Sequence, residues 1–179
     1  MDFNLTDEQR MLVDTLRTMG ERENFRKLAQ EVDATAQFPF HLIPKYADMG
    51  LLGMTLSPAY GGGGRPGIDA VIAIEELAKY SPMIAAPVFE SNVGPVRVID
   101  MFGTEEQKQT VIPGVCRGEL SVSVGMTEPE AGSDLTSLTT HAVEDGDGYI
   151  LNGRKSFITG GGHASHYMVY TRFGEAKGY

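Results

Sequence analysis

The apolar residues of this chain change their spacing near residue 118, and that change constrains the fold more than any other feature. Before it they recur three and four apart, as on one face of a helix. From Leu120 onward they alternate, as on one face of a strand. Helices first and strands afterwards argue for segregated domains, not for a βαβ sheet. The expected fold is therefore α+β: an all-α helical domain over 1–118, then an incomplete antiparallel β-barrel-like domain over 119–179.

Local signals place the elements. Thr6 and Gln9 have the form of a capping box, and Leu12, Leu16 and Met19 form a helical face that Phe25, Leu28, Ala29 and Val32 continue. A further helix is predicted over 39–49, stopped by Gly50 and shortened or kinked by Pro44. Ala70, Ala73, Ile74, Leu77 and Ala78 mark a third face, with Glu75 and Lys79 paired outside it. Thr104 and Gln107 form a second capping box, directly after Gly103 closes the preceding helix. Strands are expected over 120–126, 149–151 and 167–172. Asn152-Gly153 is a hairpin signal whose return strand would be 155–159. A small open sheet of about four strands has exposed edges, so the chain is expected to be the front portion of a longer protein.

Composition excludes several classes. With a net charge of −9, non-specific binding to nucleic acid or to an anionic membrane is disfavoured. Cys116 is the single cysteine, so there is no internal disulfide and no cysteine-rich metal site. The polar, acidic N-terminus resembles neither a signal nor a transit peptide, and no apolar run approaches the ~20 residues that span a bilayer. The expectation is a cytoplasmic protein without membrane insertion. His163 and His166 lack the further ligands a metal site needs, so no metal is assigned. Gly61 to Gly64 lacks the Lys-Ser/Thr of a phosphate-binding loop. Glu75-Glu76 reads as a solvated helix face.

The chemistry is concentrated in 125–137, a strand end followed by a turn of small residues with hydroxyls. Gly132 lets a ligand approach the backbone closely. Successive N–H groups in such a turn offer an anion nest, to which Ser133 adds a hydroxyl, and Thr127 can hydrogen-bond a polar heterocycle at the strand end. Gly-Ser-Asp alone would equally be an ordinary turn. Glu128 and Asp134 read as carboxylates that fix the loop by accepting hydrogen bonds.

The whole stretch Gly125-Met126-Thr127-Glu128-Pro129-Glu130-Ala131-Gly132-Ser133-Asp134 resembles the signature of the acyl-CoA dehydrogenase family. Asn152-Gly153-Arg154-Lys155-Ser156-Phe157-Ile158-Thr159-Gly160-Gly161 resembles a second family block, with Phe where Trp is commoner and Gly160 where Asn is usual. Leu5 to Gln9, Met49 to Gly53, Pro58 to Gly62 and Gly103 to Lys108 resemble the family's helical part more loosely. Met1 to Leu5 and the block at Asn152 are also similar to the crotonobetainyl-CoA reductase branch.

The resemblance implies FAD as cofactor. Val124, Met126 and Thr127 would border the isoalloxazine ring. Gly132 and Ser133 would meet the pyrophosphate, Ser133 also lying near the bound thioester substrate. Phe157 would lie against the flavin, and Thr159 would sit near N5. It further implies α,β-desaturation of an acyl-CoA in fatty acid metabolism, an electron-transfer flavoprotein or similar acceptor, and a homo-oligomer, dimer or homotetramer. The family's base is a carboxylate of a C-terminal helical domain outside these residues, so no catalytic residue is assigned and the 179-residue chain alone is expected to be inactive. The alternatives are a non-catalytic FAD-binding or partner subunit, or a flavin oxidase or enoyl-CoA-reducing enzyme on the same scaffold.

Overall fold

Thr6 starts the first helix by the reciprocal exchange its sequence announces: its Oγ1 accepts from the Gln9 N–H at 3.2 Å, and its own N–H donates to the Gln9 side-chain Oε1 at 3.0 Å. The computed structural model describes residues 4–174, so Met1 to Phe3 of the opening resemblance lie outside them. Helix α1 (Asp7–Arg22) buries Val13, Leu16, Met19 and Gly20. At Gly20 a Cβ would fall 2.7 Å from the Tyr80 hydroxyl, so only glycine permits this approach.

The apolar face does not run on into one long helix. Asn24 takes a left-handed conformation at φ 50° and caps α2 (Phe25–Thr35), a backbone region that asparagine tolerates better than most residues. The third helix is shorter than its sequence pattern suggests, α3 (Leu42–Asp48). Pro44 sits in its first turn, where a missing N–H costs nothing, and Gly50 follows at φ 67°.

Helices α4 (Gly67–Ala78), α5 (Pro82–Asn92), α6 (Pro95–Phe102) and α7 (Glu105–Cys116) complete the helical unit. Periodicity gave no sign of α5. It buries Ile84, Ala85, Ala86, Pro87, Val88, Ser91 and Asn92, and a helix enclosed on most sides has no polar stripe to reveal it.

The helical core gathers Leu16, Phe25, Leu42, Leu51, Met54, Leu77, Ile84 and Val88 around Tyr46. Tyr46 is fully buried and its hydroxyl donates to the Ile84 carbonyl at 2.9 Å. Asn92 is the second polar tie: its amide donates to the Leu51 and Val88 carbonyls, each at 2.8 Å, and its Oδ1 accepts from the Thr55 N–H at 3.0 Å. Glu76 departs from the expected solvated face. Glu75 is exposed, but Glu76 is buried, gripped by Arg17 at 3.2 and 3.3 Å and by Lys79.

The chain divides into two compact units, Met1–Ser121 and Val122–Tyr179. The second contains β1 (Val122–Gly125), β2 (His141–Asp145), β3 (Gly148–Asn152), β4 (His166–Val169) and β5 (Arg172–Phe173). Strand β1 pairs with β4 in parallel, β2 pairs with β3 antiparallel, and β2 pairs with β5 in parallel. The helical-then-sheet order stands, with two small sheets and no closed barrel among the described residues. The pairing is mixed where antiparallel was expected.

The hairpin is also elsewhere. It links β2 and β3 through Gly146-Asp147, with Gly146 at φ 59°, the glycine-first turn that suits the twist of paired strands. Asn152 is the last residue of β3 and has no positive φ, which an Asn-Gly turn of that class requires. Residues 155–159 form no strand; Lys155 and Ser156 spend their donors on another segment, described next.

Candidate functional site

Strand β1 ends at Gly125, and the chain then makes a tight loop. Glu128 and Ala131 exchange backbone hydrogen bonds at 2.9 and 3.2 Å across Pro129-Glu130. Gly132 and Ser133 follow on the surface. A Cβ on Gly132 would meet no atom within 4 Å, and among the described residues neither Gly132 nor Ser133 donates its N–H to a protein acceptor. Two adjacent backbone donors and a hydroxyl therefore face open space.

Glu128 organises the site from beneath. It is 4 % exposed. One carboxylate oxygen accepts from the Thr139 N–H at 2.7 Å and the Thr139 hydroxyl at 2.8 Å; the other accepts from the Thr140 N–H at 2.8 Å and Lys155 Nζ at 2.9 Å. Burial alone would raise its pKa. The hydrogen bonds from Thr140, Thr139 and Lys155 override that and hold it well below the ordinary carboxylate range. Asp134 accepts from the Ser137 and Thr136 hydroxyls, which lower its pKa in that order, and so fixes the turn at Leu135–Ser137. Both carboxylates act as loop anchors, as their setting in a small-residue turn suggested.

Lys155 joins the two motif blocks. Besides Glu128, its ammonium donates to the Met126 carbonyl at 2.9 Å, and the next residue's N–H, Ser156, donates to the Thr127 carbonyl at 2.8 Å. Met126 and Thr127 are thus held beside the segment that carries Phe157. Phe157 is 94 % exposed and sits at φ 58°, an unusual conformation for a bulky residue that aims its ring at solvent instead of at a core.

Of the residues singled out from the sequence, Val124, Met126 and Thr127 are half-buried along the strand end, while Gly132, Ser133, Phe157 and Thr159 are exposed. The Thr127–Ser156 bond brings Met126, Thr127 and Phe157 into one neighbourhood. No hydrogen bond links Gly132 or Ser133 to Phe157 or Thr159 among the described residues. Sequence reasoning gave Lys155 no role. The second block holds one lysine, but the first holds Glu128, Glu130 and Asp134, so nothing local marks which carboxylate it meets. His163 and His166 join no group of potential metal ligands among the described residues, and no described helix is long and apolar enough to cross a membrane.

Residues 6–119 match the family model for the acyl-CoA dehydrogenase N-terminal domain, and 123–179 match that for the middle domain. The chain is 36% identical over 178 residues to the short-chain specific acyl-CoA dehydrogenase of Clostridium acetobutylicum, covering 99% of this chain and 47% of that protein. It is also 36% identical to the NADH-dependent acryloyl-CoA reductase of Anaerotignum propionicum, over 99% of this chain and 45% of the relative. It thus spans about half the length of the curated relatives it matches. Among solved structures, butyryl-CoA dehydrogenase from Megasphaera elsdenii superposes with a TM-score of 0.84 at 34% identity, covering 96% of this chain and 45% of that one. A Mycobacterium smegmatis glutaryl-CoA dehydrogenase in complex with FADH2 superposes with a TM-score of 0.82 at 27% identity, covering 94% and 43%. Spanning both domain models, with helices before sheets and the two motif blocks tied together, the chain belongs to the acyl-CoA dehydrogenase family.

Proposed function

We propose that these residues form the flavin-binding part of an FAD-dependent acyl-CoA dehydrogenase. The observation that carries the reading is the fastening of Thr127 to Ser156 at 2.8 Å, with Lys155 bridging Met126 and Glu128. It sets an exposed aromatic ring beside a strand end that offers a hydroxyl. The residues present suit the group. Gly132 and Ser133 offer free N–H donors and room for a pyrophosphate, and Phe157 offers a ring face for a flat heterocycle.

In this reading FAD supplies the hydride-accepting chemistry, while the protein supplies binding, orientation and electrostatics. Val124, Met126 and Thr127 border the ring system; Gly132 and Ser133 hold the phosphates, Ser133 also reaching the thioester. Phe157 covers one side, and Thr159 directs its hydroxyl to the N5 edge. No catalytic base is assigned within 1–179, and the domain division at 118/119 is part of the same proposal, as are a homo-oligomer, an electron-transfer flavoprotein acceptor and a cytoplasmic setting. The reverse direction, reduction of an enoyl-CoA, is a second reading; the acryloyl-CoA reductase at 36% identity favours it.

The experiment is a titration of the full-length protein with FAD, followed by visible absorbance and melting temperature. A flavin spectrum and a rise in melting temperature are expected, because a ligand that prefers the native state stabilises it. The absence of both refutes the proposal.

A further inference from the structure

We infer that Tyr167 is a positioning residue for Thr159, acting through the run Gly160-Gly161-Gly162; the inference rests on the flavin reading of Thr159. Tyr167 lies on β4 opposite Ser123 of β1. Its hydroxyl donates to the Gly160 carbonyl at 3.1 Å and accepts from the Gly162 N–H at 3.0 Å, so a single oxygen brackets Gly161 from both sides.

Three glycines in a row have more backbone freedom than any other tripeptide, so a fixed geometry there needs restraints from hydrogen bonds and packing to hold it. The turn supplies some of them, with Gly161 N–H on the Ile158 carbonyl and Ala164 N–H on the Gly160 carbonyl, each at 2.8 Å. Packing supplies another. Gly160 is buried, and a Cβ there would lie 1.8 Å from Ser123 Oγ, so its backbone is seated on β1. Gly160, the residue directly after Thr159, is therefore fixed from two directions, by Ser123 against its Cα and by the Tyr167 hydroxyl at its carbonyl.

The Thr159 side chain is exposed. Its direction is set by its backbone, not by neighbours packed around it. Removing the Tyr167 hydroxyl frees the Gly162 N–H and takes one donor from the Gly160 carbonyl, which keeps the His163 and Ala164 N–H groups; a hydroxyl donor at Thr159 weakens steeply once its angle drifts. Tyr167 would thus affect the flavin edge through Thr159.

The test uses the full-length protein as Tyr167→Phe, Thr159→Val and the double variant. Phe keeps the ring, and a thermal melt checks the fold. In the protein without FAD, the Gly162 amide should be protected from hydrogen exchange, and Tyr167→Phe should speed its exchange about five-fold, the factor for a typical hydrogen bond. With FAD bound, Thr159→Val should lower the flavin midpoint potential, Tyr167→Phe should lower it by a smaller amount, and the double variant should match Thr159→Val alone.

An unprotected Gly162 amide in the unsubstituted protein overturns the inference, whatever the variant's fold. So does a Tyr167→Phe shift that persists undiminished in the Thr159→Val background. If Thr159→Val moves the potential and Tyr167→Phe does not, only the positioning role falls. If Thr159→Val leaves the potential unchanged, the flavin role of Thr159 falls and the positioning role with it.

Discussion

Glu128→Gln removes one charge from the interior of the sheet unit while keeping the side chain's volume. The carboxylate accepts four hydrogen bonds, two at each oxygen. The amide has one oxygen. If that oxygen keeps Thr140 N–H and Lys155, the NH2 group faces the Thr139 N–H, donor against donor, while the Thr139 hydroxyl can turn to accept. A stranded backbone N–H costs about 1–3 kcal/mol. The Lys155 side chain, 12% exposed, also loses its counter-charge, and breaking a buried pair costs about 3–5 kcal/mol. These penalties overlap, so the expected loss is about 3–5 kcal/mol, a large part of a domain's roughly 5–15 kcal/mol.

The sign of the pH dependence follows from the lowered pKa of Glu128. Its contribution is fully present above the unfolded value of about 4.3 and is lost as pH falls from there towards the folded value. Urea melts of the full-length protein at pH 7 and at steps down to pH 3 should therefore show the parent losing stability in acid faster than Glu128→Gln, so that the gap narrows. Adding Lys155→Met should recover part of the loss at pH 7, because it removes the stranded ammonium. A Glu128→Gln variant within 1 kcal/mol of the parent at pH 7, or a gap independent of pH, would refute the reasoning on the scale of a typical hydrogen bond.

Two further substitutions test the packing. Gly160→Ala should destabilise the sheet unit by about 1–3 kcal/mol, the usual cost of overpacking, because its Cβ would collide with Ser123 Oγ; Ser123→Gly should relieve it, and equal melting temperatures for parent and Gly160→Ala would contradict the contact. Asn92→Leu should cost about 2–4 kcal/mol by chemical denaturation, since it strands the Leu51 carbonyl and the Thr55 N–H inside the helical core; a neutral variant would mean water replaces the amide.

What was legible in the sequence is what is written locally. Both capping boxes form as read, because each needs only residues three apart. The break at Asn24 was hidden, since the apolar spacing continues across it and only one residue's backbone changes hand. The hairpin was misplaced because Asn152-Gly153 competes with Asp145-Gly146-Asp147-Gly148 for the same signal, and the ladder, not the dipeptide, decides. Parallel pairing of β1 with β4 has no local signature. The fastening of Thr127 to Ser156 belongs to the same class: both blocks were visible, but the bonds that unite them cross from one to the other. The loop-fixing role of Glu128 was readable from the small residues around it; Lys155 as its partner was not.

The parallel pairing of β1 with β4 also sets a timetable. Their partners, such as Gly125 and Val169, lie 44 residues apart, whereas the β2–β3 hairpin closes over two residues and forms in roughly 1–10 μs. During synthesis, β1 leaves the ribosome roughly 2–9 s before its partner strand at about 5–20 residues per second. For that interval its backbone donors and acceptors are an open template for any extended segment nearby. Shortening the interval, by faster translation of 126–169, should raise the yield of soluble protein more than any change to the hairpin, which is complete long before β4 arrives.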